Sequence, residues 1–249
     1  AYVGSLNSAY CKENDGQFIV RVSDTNPENI YVPAYEQIKE NAEWLWGKVE
    51  YYIQSDRMDI YYDYMEKMFD LGKVYVCTCD PDNFREYVKE KKGCPCRDVK
   101  GKDRWKSMFT SYKQGEAVVR FKSTMDHKNP AMRDFPLMRI NDSEHPRRGK
   151  KYRVWPLMNW SVFVDDLSTG VTHSIRGKDH ADNEKRQRLM FEVLGKKAPE
   201  SLFVGRINFE GFEVSCSKTK VKIENGEYTG WDDIRIPFIP ALKRRGYLP

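Results

Sequence analysis

The sequence predicts an α/β fold with a parallel sheet that is interrupted by an inserted module. Three observations carry this reading. Short apolar strands alternate with amphipathic helical stretches over residues 16–78. The texture then changes: residues 100–153 read as short strands between loops rich in Asn, Asp, Pro and His. From Trp155 onward the alternation of helix and strand resumes. Helices lying between strands imply parallel pairing. A parallel sheet collects its ligand at the carboxyl ends of its strands.

The elements follow in order. Residues 16–22, Gly-Gln-Phe-Ile-Val-Arg-Val, read as a buried strand, stopped by the turn formers Ser23-Asp24-Thr25-Asn26-Pro27. Residues 33–46 set Tyr35, Ile38, Ala42, Leu45 and Trp46 at helical spacing. Residues 56–71 do the same with Ile60, Tyr61, Tyr64, Met65, Met68 and Phe69. A strand over 74–78 leads into a cysteine-bearing stretch, and residues 80–92 read as a charged helix. The inserted module spans 76–153 and includes the strand Ala117-Val118-Val119-Arg120-Phe121. Residues 155–164 form an apolar run that reads as a buried helix, its end punctuated by Asp165-Asp166 and Gly170. A strand over 171–176, a polar helix over 180–194 and a strand over 202–208 follow. A turn at Gly211 and a loop rich in Ser and Lys over 211–220 come next. The chain thus divides into 1–75 and 154–208, two halves of one domain, the insert 76–153, and a last region 209–249.

At 249 residues and 40% hydrophobic, the chain is long enough for one large core or two smaller ones. It has no run of 18 apolar residues, so no membrane span is expected. Cysteines without a secretory signal point to a reducing, cytoplasmic setting. The chain opens without an initiator Met, which reads as a shortened N-terminus. The net charge of +5 is mild, but Arg147-Arg148-Gly149-Lys150-Lys151-Tyr152-Arg153 and Lys243-Arg244-Arg245 are local clusters. Basic runs with aromatic neighbours suit a phosphate backbone; a solvated surface is the competing reading. Neither a Walker motif nor a Gly-rich dinucleotide fingerprint is present, and no Ser-His-Asp order or glycosidase carboxylate pair stands out.

Cys77-Thr78-Cys79 and Cys94-Pro95-Cys96 form two C-x-C pairs within 20 positions, four of the six cysteines of the chain. Thiolates are soft ligands, and four of them close a tetrahedral zinc site with no open position for water. Such a zinc is structural. Two disulfides, or idle reduced thiols, are the competing readings.

Three further constellations follow predicted strands and converge on one cleft. Asp24, just past a strand end, suits an ammonium group or a ribose hydroxyl; an Asx-type turn that merely stops the strand is the alternative. In Thr172-His173-Ser174-Ile175-Arg176-Gly177-Lys178-Asp179-His180, Arg176 at a strand end suits a carboxylate held bidentately, or else a surface ion pair. Val214-Ser215-Cys216-Ser217-Lys218-Thr219-Lys220 interleaves hydroxyls with ammonium groups, which suits a polyphosphate or simply a solvated loop.

Taken in order, several segments resemble the catalytic region of archaeal-type glutamyl-tRNA synthetases, which are class I aminoacyl-tRNA synthetases. The segments are Arg21 to Pro27, Ile53-Gln54-Ser55-Asp56-Arg57, Tyr75-Val76-Cys77-Thr78-Cys79 and Gly115-Glu116-Ala117-Val118-Val119-Arg120. They continue with Tyr152-Arg153-Val154-Trp155-Pro156-Leu157, Gly170-Val171-Thr172-His173, Arg176-Gly177-Lys178-Asp179-His180 and Gly230-Trp231-Asp232-Asp233. The resemblance covers about residues 16–249. It implies a Rossmann-like parallel sheet split by an inserted α+β module that binds the tRNA acceptor stem, followed by a phosphate-loop and stem-contact region. It implies ATP with Mg2+ as substrate, glutamate and tRNA(Glu) as partners, a structural Zn2+ on Cys77, Cys79, Cys94 and Cys96, and neither DNA nor a membrane. The implied reaction activates glutamate as its adenylate, typically with tRNA bound, and transfers it to the tRNA 3′ end. Ser23, Asp24, Met158 and Arg176 would line the amino-acid pocket, with Arg176 on the side-chain carboxylate; the glutaminyl relatives lack this Arg. Gly4, Ser5, Ser215, Ser217 and Lys218 would meet ATP. Arg147, Arg148, Lys150, Lys151, Lys243 and Arg244 would meet the tRNA backbone. An anticodon-binding barrel would follow.

The sequence departs from that pattern at four places. Tyr2-Val3-Gly4-Ser5 sits where the His-Ile-Gly-His motif belongs, and no His precedes His127. Ser23 stands where the family has an acid, and Met158 where it has a Tyr, so a hydroxyl is lost. Cys216 falls on the functional Lys of the Lys-Met-Ser-Lys-Ser loop, with Lys218 two positions on. Losing one transition-state donor costs about a hundredfold or more in rate. Two alternatives follow: a tRNA-binding paralogue with weak or no activation, and a glutamyl-queuosine tRNA synthetase, against which Trp155-Pro156-Leu157 argues.

Overall fold

A computed structural model describes residues 1–207, 210–211 and 215–249. The chain opens with a helix, α1 (Tyr2–Glu13). The first strand, β1 (Ile19–Val22), is β-branched at three of four positions and follows the predicted run. Helix α2 (Ala34–Trp46) ends at Gly47, whose φ of +77° lets the chain turn away. Strand β2 (Glu50–Ile53) pairs parallel with β1, Ile19 opposite Glu50 through Val22 opposite Ile53. A 3-10 turn, Gln54–Arg57, leads into α3 (Met58–Asp70), which buries Met58, Tyr61, Met65 and Met68 along one stripe.

Strand β3 (Val74–Cys77) opens a four-stranded antiparallel sheet. Helix α4 (Pro81–Lys89) is capped by Asp80, whose side chain accepts from the amides of Asp82 and Asn83. Loops are expected from about residue 100, yet α5 (Asp103–Thr110) stands there. It forms because Trp105 and Phe109 pack edge-on with Tyr62, a tertiary gain that its charged sequence does not advertise. Strands β4 (Val118–Phe121), β5 (Pro136–Ile140) and β6 (Val154–Pro156) complete the sheet in the order β3-β4-β5-β6. The sheet therefore takes in Val74 and Pro156, just outside the 76–153 bounds of the expected insert.

The helix expected over 155–164 begins later. Trp155 lies on β6, paired with Arg139, and α6 spans Met158–Ser168. The apolar run hides this break, because a buried strand and a buried helix look alike in composition. Strand β7 (His173–Gly177), helix α7 (Ala181–Val193) and strand β8 (Glu200–Val204) follow, and β7 pairs parallel with β8. The strand expected over 202–208 starts two residues earlier and ends at Val204; residue 208 lies outside the described residues. The expected 211–220 loop becomes helix α8 (Cys216–Glu224), with Ser215 as its N-cap. Val214 lies outside the described residues. A short helix, α9 (Ile239–Arg244), comes last.

The main core lies where α3, α6 and α7 cover the antiparallel sheet, around Trp155, Trp160, Phe163, Met65 and Met138, all fully buried. Each such side chain stabilises by about 1.5–3 kcal/mol through burial alone. The parallel strands form two separate pairs, β1 with β2 and β7 with β8. Between β1 and the stretch 169–175 lies a cleft of about 560 Å³, walled by one face of α1 including Val3, Gly4 and Asn7. The Asn7 amide donates to the carbonyl of Ile175 at 2.9 Å and accepts from its N–H at 2.9 Å. Among the described residues no helix is long and apolar enough to cross a membrane.

Candidate functional site

At the carboxyl ends of the parallel strands, arginines meet two buried acids. Arg21 is the third residue of β1 and Arg176 the fourth of β7. Asp165 and Asp166 lie near the end of α6 and are fully buried. Asp166 accepts from Arg21 Nη1 at 2.6 Å and from Arg176 Nη2 at 3.1 Å. Asp165 accepts from Arg57 Nε at 2.7 Å, from Gln54 Nε2 at 2.9 Å and from the Tyr61 hydroxyl at 3.0 Å. Burial raises the pKa of the Asp166 carboxyl, with Arg21 and Arg176 pulling the other way. Burial likewise lowers that of Arg176, against the pull of Asp166. Burial and the neighbouring Asp165 carboxylate push the Tyr61 hydroxyl far up, so it stays a donor.

Arg176 is therefore neither a surface ion pair nor loose. Its Nε donates to Ser174 Oγ at 2.7 Å and its Nη1 to Gln187 Oε1 at 2.5 Å. Asp165, Asp166 and Gln187 complete this cluster, and sequence reasoning did not single them out as site residues. The available signal is two successive acids closing an apolar helix: a buried acid requires a cation.

The other expected site residues are scattered. Ser23 is exposed just beyond β1. Asp24 is 3% exposed and faces inward, accepting from the Tyr35 hydroxyl at 2.8 Å and the Ser55 amide at 2.8 Å, with His145 Nε2 at 3.4 Å. The sequence expects Asp24 to face a substrate amine; in the fold its oxygens meet these three internal partners. Met158 opens α6 and is 40% exposed; Asp166, eight residues on, lies about 12 Å further along the helix axis. Gly4 sits against Trp46, and a Cβ there would come within 2.5 Å of the ring. Ser5 Oγ accepts from Trp46 Nε1 at 3.0 Å. Both thus seat α1 on α2. Ser215 Oγ accepts from the amide of Lys218 at 3.4 Å, and Ser217 and Lys218 are exposed in the first turn of α8, a helix where a loop is expected.

The basic clusters are largely paired. Arg147 Nη2 reaches both oxygens of Asp56 at 3.0 Å, Arg148 binds the same carboxylate, and Arg148 Nε donates to the Ser55 carbonyl at 3.1 Å. Lys150 is exposed, and Lys151 lies over the Tyr152 ring at 4.8 Å. Lys243 sits 5.7 Å over the Trp44 ring, and Arg244 pairs with Asp232 at 3.1 Å.

The four clustered thiols converge. Their Sγ atoms all lie within 4.8 Å of one another, with Cys77 to Cys94 at 3.8 Å and Cys79 to Cys96 at 3.7 Å. All are free thiols, which removes the disulfide reading. Zinc with four bonds of about 2.3 Å sets tetrahedral edges near 3.8 Å, so the residues present fit that ion. Cys94 is pulled down to about 5 by its hydrogen bonding with Cys77 and then with Tyr75, against burial. At Cys96 burial works upward, yet the Thr78 hydroxyl and amide hold the thiol low. Strand β3 supplies Cys77, and the Pro95–Asp98 3-10 turn supplies Cys96.

The family described as tRNA synthetases class I (E and Q), catalytic domain, matches residues 1–249, and the chain belongs to it. The glutamate–tRNA ligase of Thermococcus kodakarensis is 48% identical over 255 residues, covering 98% of this chain and 44% of that protein. That of Pyrococcus furiosus is 47% identical, covering 98% and 44%. The chain thus spans less than half the length of these relatives. Among solved structures, a glutamate tRNA ligase from Elizabethkingia meningosepticum in complex with its amino acid superposes with a TM-score of 0.64 at 20% identity. That match covers 87% of this chain and 48% of the other, and shows a shared fold.

Proposed function

We infer that this chain is the catalytic portion of a glutamate–tRNA ligase. One observation carries the substrate assignment: Arg21, Arg57 and Arg176 gather around the buried Asp165 and Asp166, with Glu184 also acting on Arg176, in one partly buried, guanidinium-rich array. Such an array suits an arriving carboxylate. Glutamate offers such a carboxylate on its side chain, while neutral glutamine does not. The relatives' names point the same way.

The reaction has two steps. An α-carboxylate oxygen of glutamate attacks the α-phosphorus of ATP, and the bond to pyrophosphate breaks. A ribose hydroxyl at the tRNA 3′ end then attacks the acyl carbon, and AMP leaves. In this reading Arg176 holds the side-chain carboxylate, Ser23 and Met158 border the amino acid, and Gly4, Ser5, Ser215, Ser217 and Lys218 border ATP, which enters with Mg2+. Residues 1–75 and 154–208 form the catalytic halves, 76–153 receives the acceptor stem, and 209–249 holds phosphates and contacts the stem. Arg147, Arg148, Lys150, Lys151, Lys243 and Arg244 follow the tRNA backbone. Zn2+ on Cys77, Cys79, Cys94 and Cys96 staples the insert and leaves the chemistry alone; metal analysis giving well under one zinc per chain would remove it.

The buried Asp24 and the helical setting of Cys216 favour a second reading, a tRNA-binding paralogue with weak activation. Charging of tRNA with radiolabelled glutamate, with glutamine as control, separates the two. Charging by glutamate alone supports the ligase. Retained tRNA with no charging supports the paralogue.

A further inference from the structure

Arg176 is held on three sides before any ligand arrives. Ser174 takes its Nε, Gln187 its Nη1 and Asp166 its Nη2, at 2.7, 2.5 and 3.1 Å. A guanidinium carries five N–H donors. Among the described residues, three are spent and two are left. The side chain is 13% exposed, so the guanidinium sits in a mostly buried seat.

Asp166 does more than pair. Its other oxygen takes Arg21 Nη1 at 2.6 Å. Arg21 belongs to the β1–β2 pair and Arg176 to the β7–β8 pair, and no backbone ladder joins these two pairs among the described residues. A single carboxylate on α6, 1% exposed, therefore ties the two half-sheets together at their carboxyl ends. The distance between the two guanidiniums, and the plane in which Arg176 lies, depend on it. Without that carboxylate two like charges would repel across the junction.

We propose that Asp166 is a positioning residue: it aims the two unspent donors of Arg176 at the side-chain carboxylate of glutamate and so sets discrimination against glutamine. This rests on the glutamate reading given above. Ser174 and Gln187 are its auxiliaries, each fixing one more edge of the same guanidinium. A preset fork binds a carboxylate without first losing side-chain freedom, and this is where the affinity comes from.

Equilibrium dialysis of the full chain, with tRNA present, against radiolabelled glutamate, glutamine and ATP tests this. The variants are Asp166→Asn, the pair Ser174→Ala with Gln187→Leu, and Arg176→Gln, each checked by thermal melting. Asp166→Asn is expected to raise the glutamate Kd about tenfold or more, with the ATP Kd within about twofold and the glutamate-to-glutamine ratio falling in step. If that variant fails to fold, the Ser174→Ala, Gln187→Leu pair, which leaves the charges in place, carries the test through a loss of the same ratio. A merely structural role would weaken ATP and glutamate together and leave the ratio alone. Loss of glutamate in Arg176→Gln, with unchanged ratios in the positioning variants, overturns the role of Asp166 and spares the glutamate reading. Tighter glutamate binding by Asp166→Asn overturns it too, since Asp166 would then be a competitor. No glutamate binding by the unsubstituted chain overturns both.

Discussion

Two places in this molecule solve the same small problem in opposite surroundings. At each, two arginines share one aspartate: Arg21 and Arg176 on Asp166, Arg147 and Arg148 on Asp56. The Asp166 side chain is 1% exposed and that of Asp56 is 39% exposed. In water the shared carboxylate is screened, its partners can leave, and each pair contributes about 0–1 kcal/mol. Out of water, neither partner can leave without stranding the other. The stoichiometry is the same, yet one group is locked in the interior and the other can exchange its partners at the surface. Burial, more than the presence of an ion pair, decides whether an arginine is committed.

The largest expected effect tests the buried member. Replacing Arg176 by Ala should raise the glutamate KM about a hundredfold or more, while filter-bound tRNA changes little. Equal losses in both would show that the array is scaffold. Next comes stability. Asp166→Ala should cost about 3–5 kcal/mol in urea melts, because two half-buried guanidiniums lose the carboxylate that they share. The matching Asp56→Ala change should cost within about 1 kcal/mol. If the two costs agree, the contrast drawn from burial is wrong.

Smaller effects sharpen the surface side. Changing Arg147 and Arg148 together to Ala should reduce the slope of log affinity for tRNA against log salt by about 1.4–1.8, at 0.7–0.9 per phosphate contact. An unchanged slope would mean that Asp56 keeps both arginines. The smallest effect is acid dependence. The exposed Arg153 hydrogen bonds hold the Asp142 carboxyl below its ordinary 3.8. That pair therefore stabilises the fold above the ordinary value, and the contribution is lost as pH falls through the lowered one. Asp166 has the opposite sign: its raised pKa means that its penalty grows as pH rises from the ordinary value through the raised one. Asp142→Asn should flatten the melting curve slightly below pH 4, whereas Asp166→Asn should remove a slope above it.

Most regular elements were legible wherever one face is apolar. The stripes Tyr35, Ala42 and Met58, Tyr61, Met65, Met68 announce α2 and α3, and the β-branched Ile19–Val22 announces β1. The misses have separate causes. Helix α5 rests on rings contributed by Tyr62, some 40 residues away in the chain, which no local period contains. The start of α6 is masked because the apolar β6 runs straight into a buried, mainly apolar first half of α6. Helix α8 hides behind the Ser and Lys that make its first turns look like a loop. For the site, Arg176 and the four cysteines were legible because their chemistry is written in residue type and spacing. Asp166 was not, because a helix-ending acid and a buried bridging acid are spelled alike. Asp24 shows the reverse: an acid after a strand reads as a ligand contact, and only the fold reveals that Tyr35, Ser55 and His145 already occupy it.

The amide of Asn7, which answers both backbone groups of Ile175, has a consequence for crowded solutions. An open strand edge is a template on which another polypeptide adds, and chains that leave such edges bare tend to fibrillise. Here the rung at which a foreign strand would start is already taken by a side chain that cannot propagate the ladder. One asparagine on a helix thereby closes that rung of the β7 edge to an incoming strand.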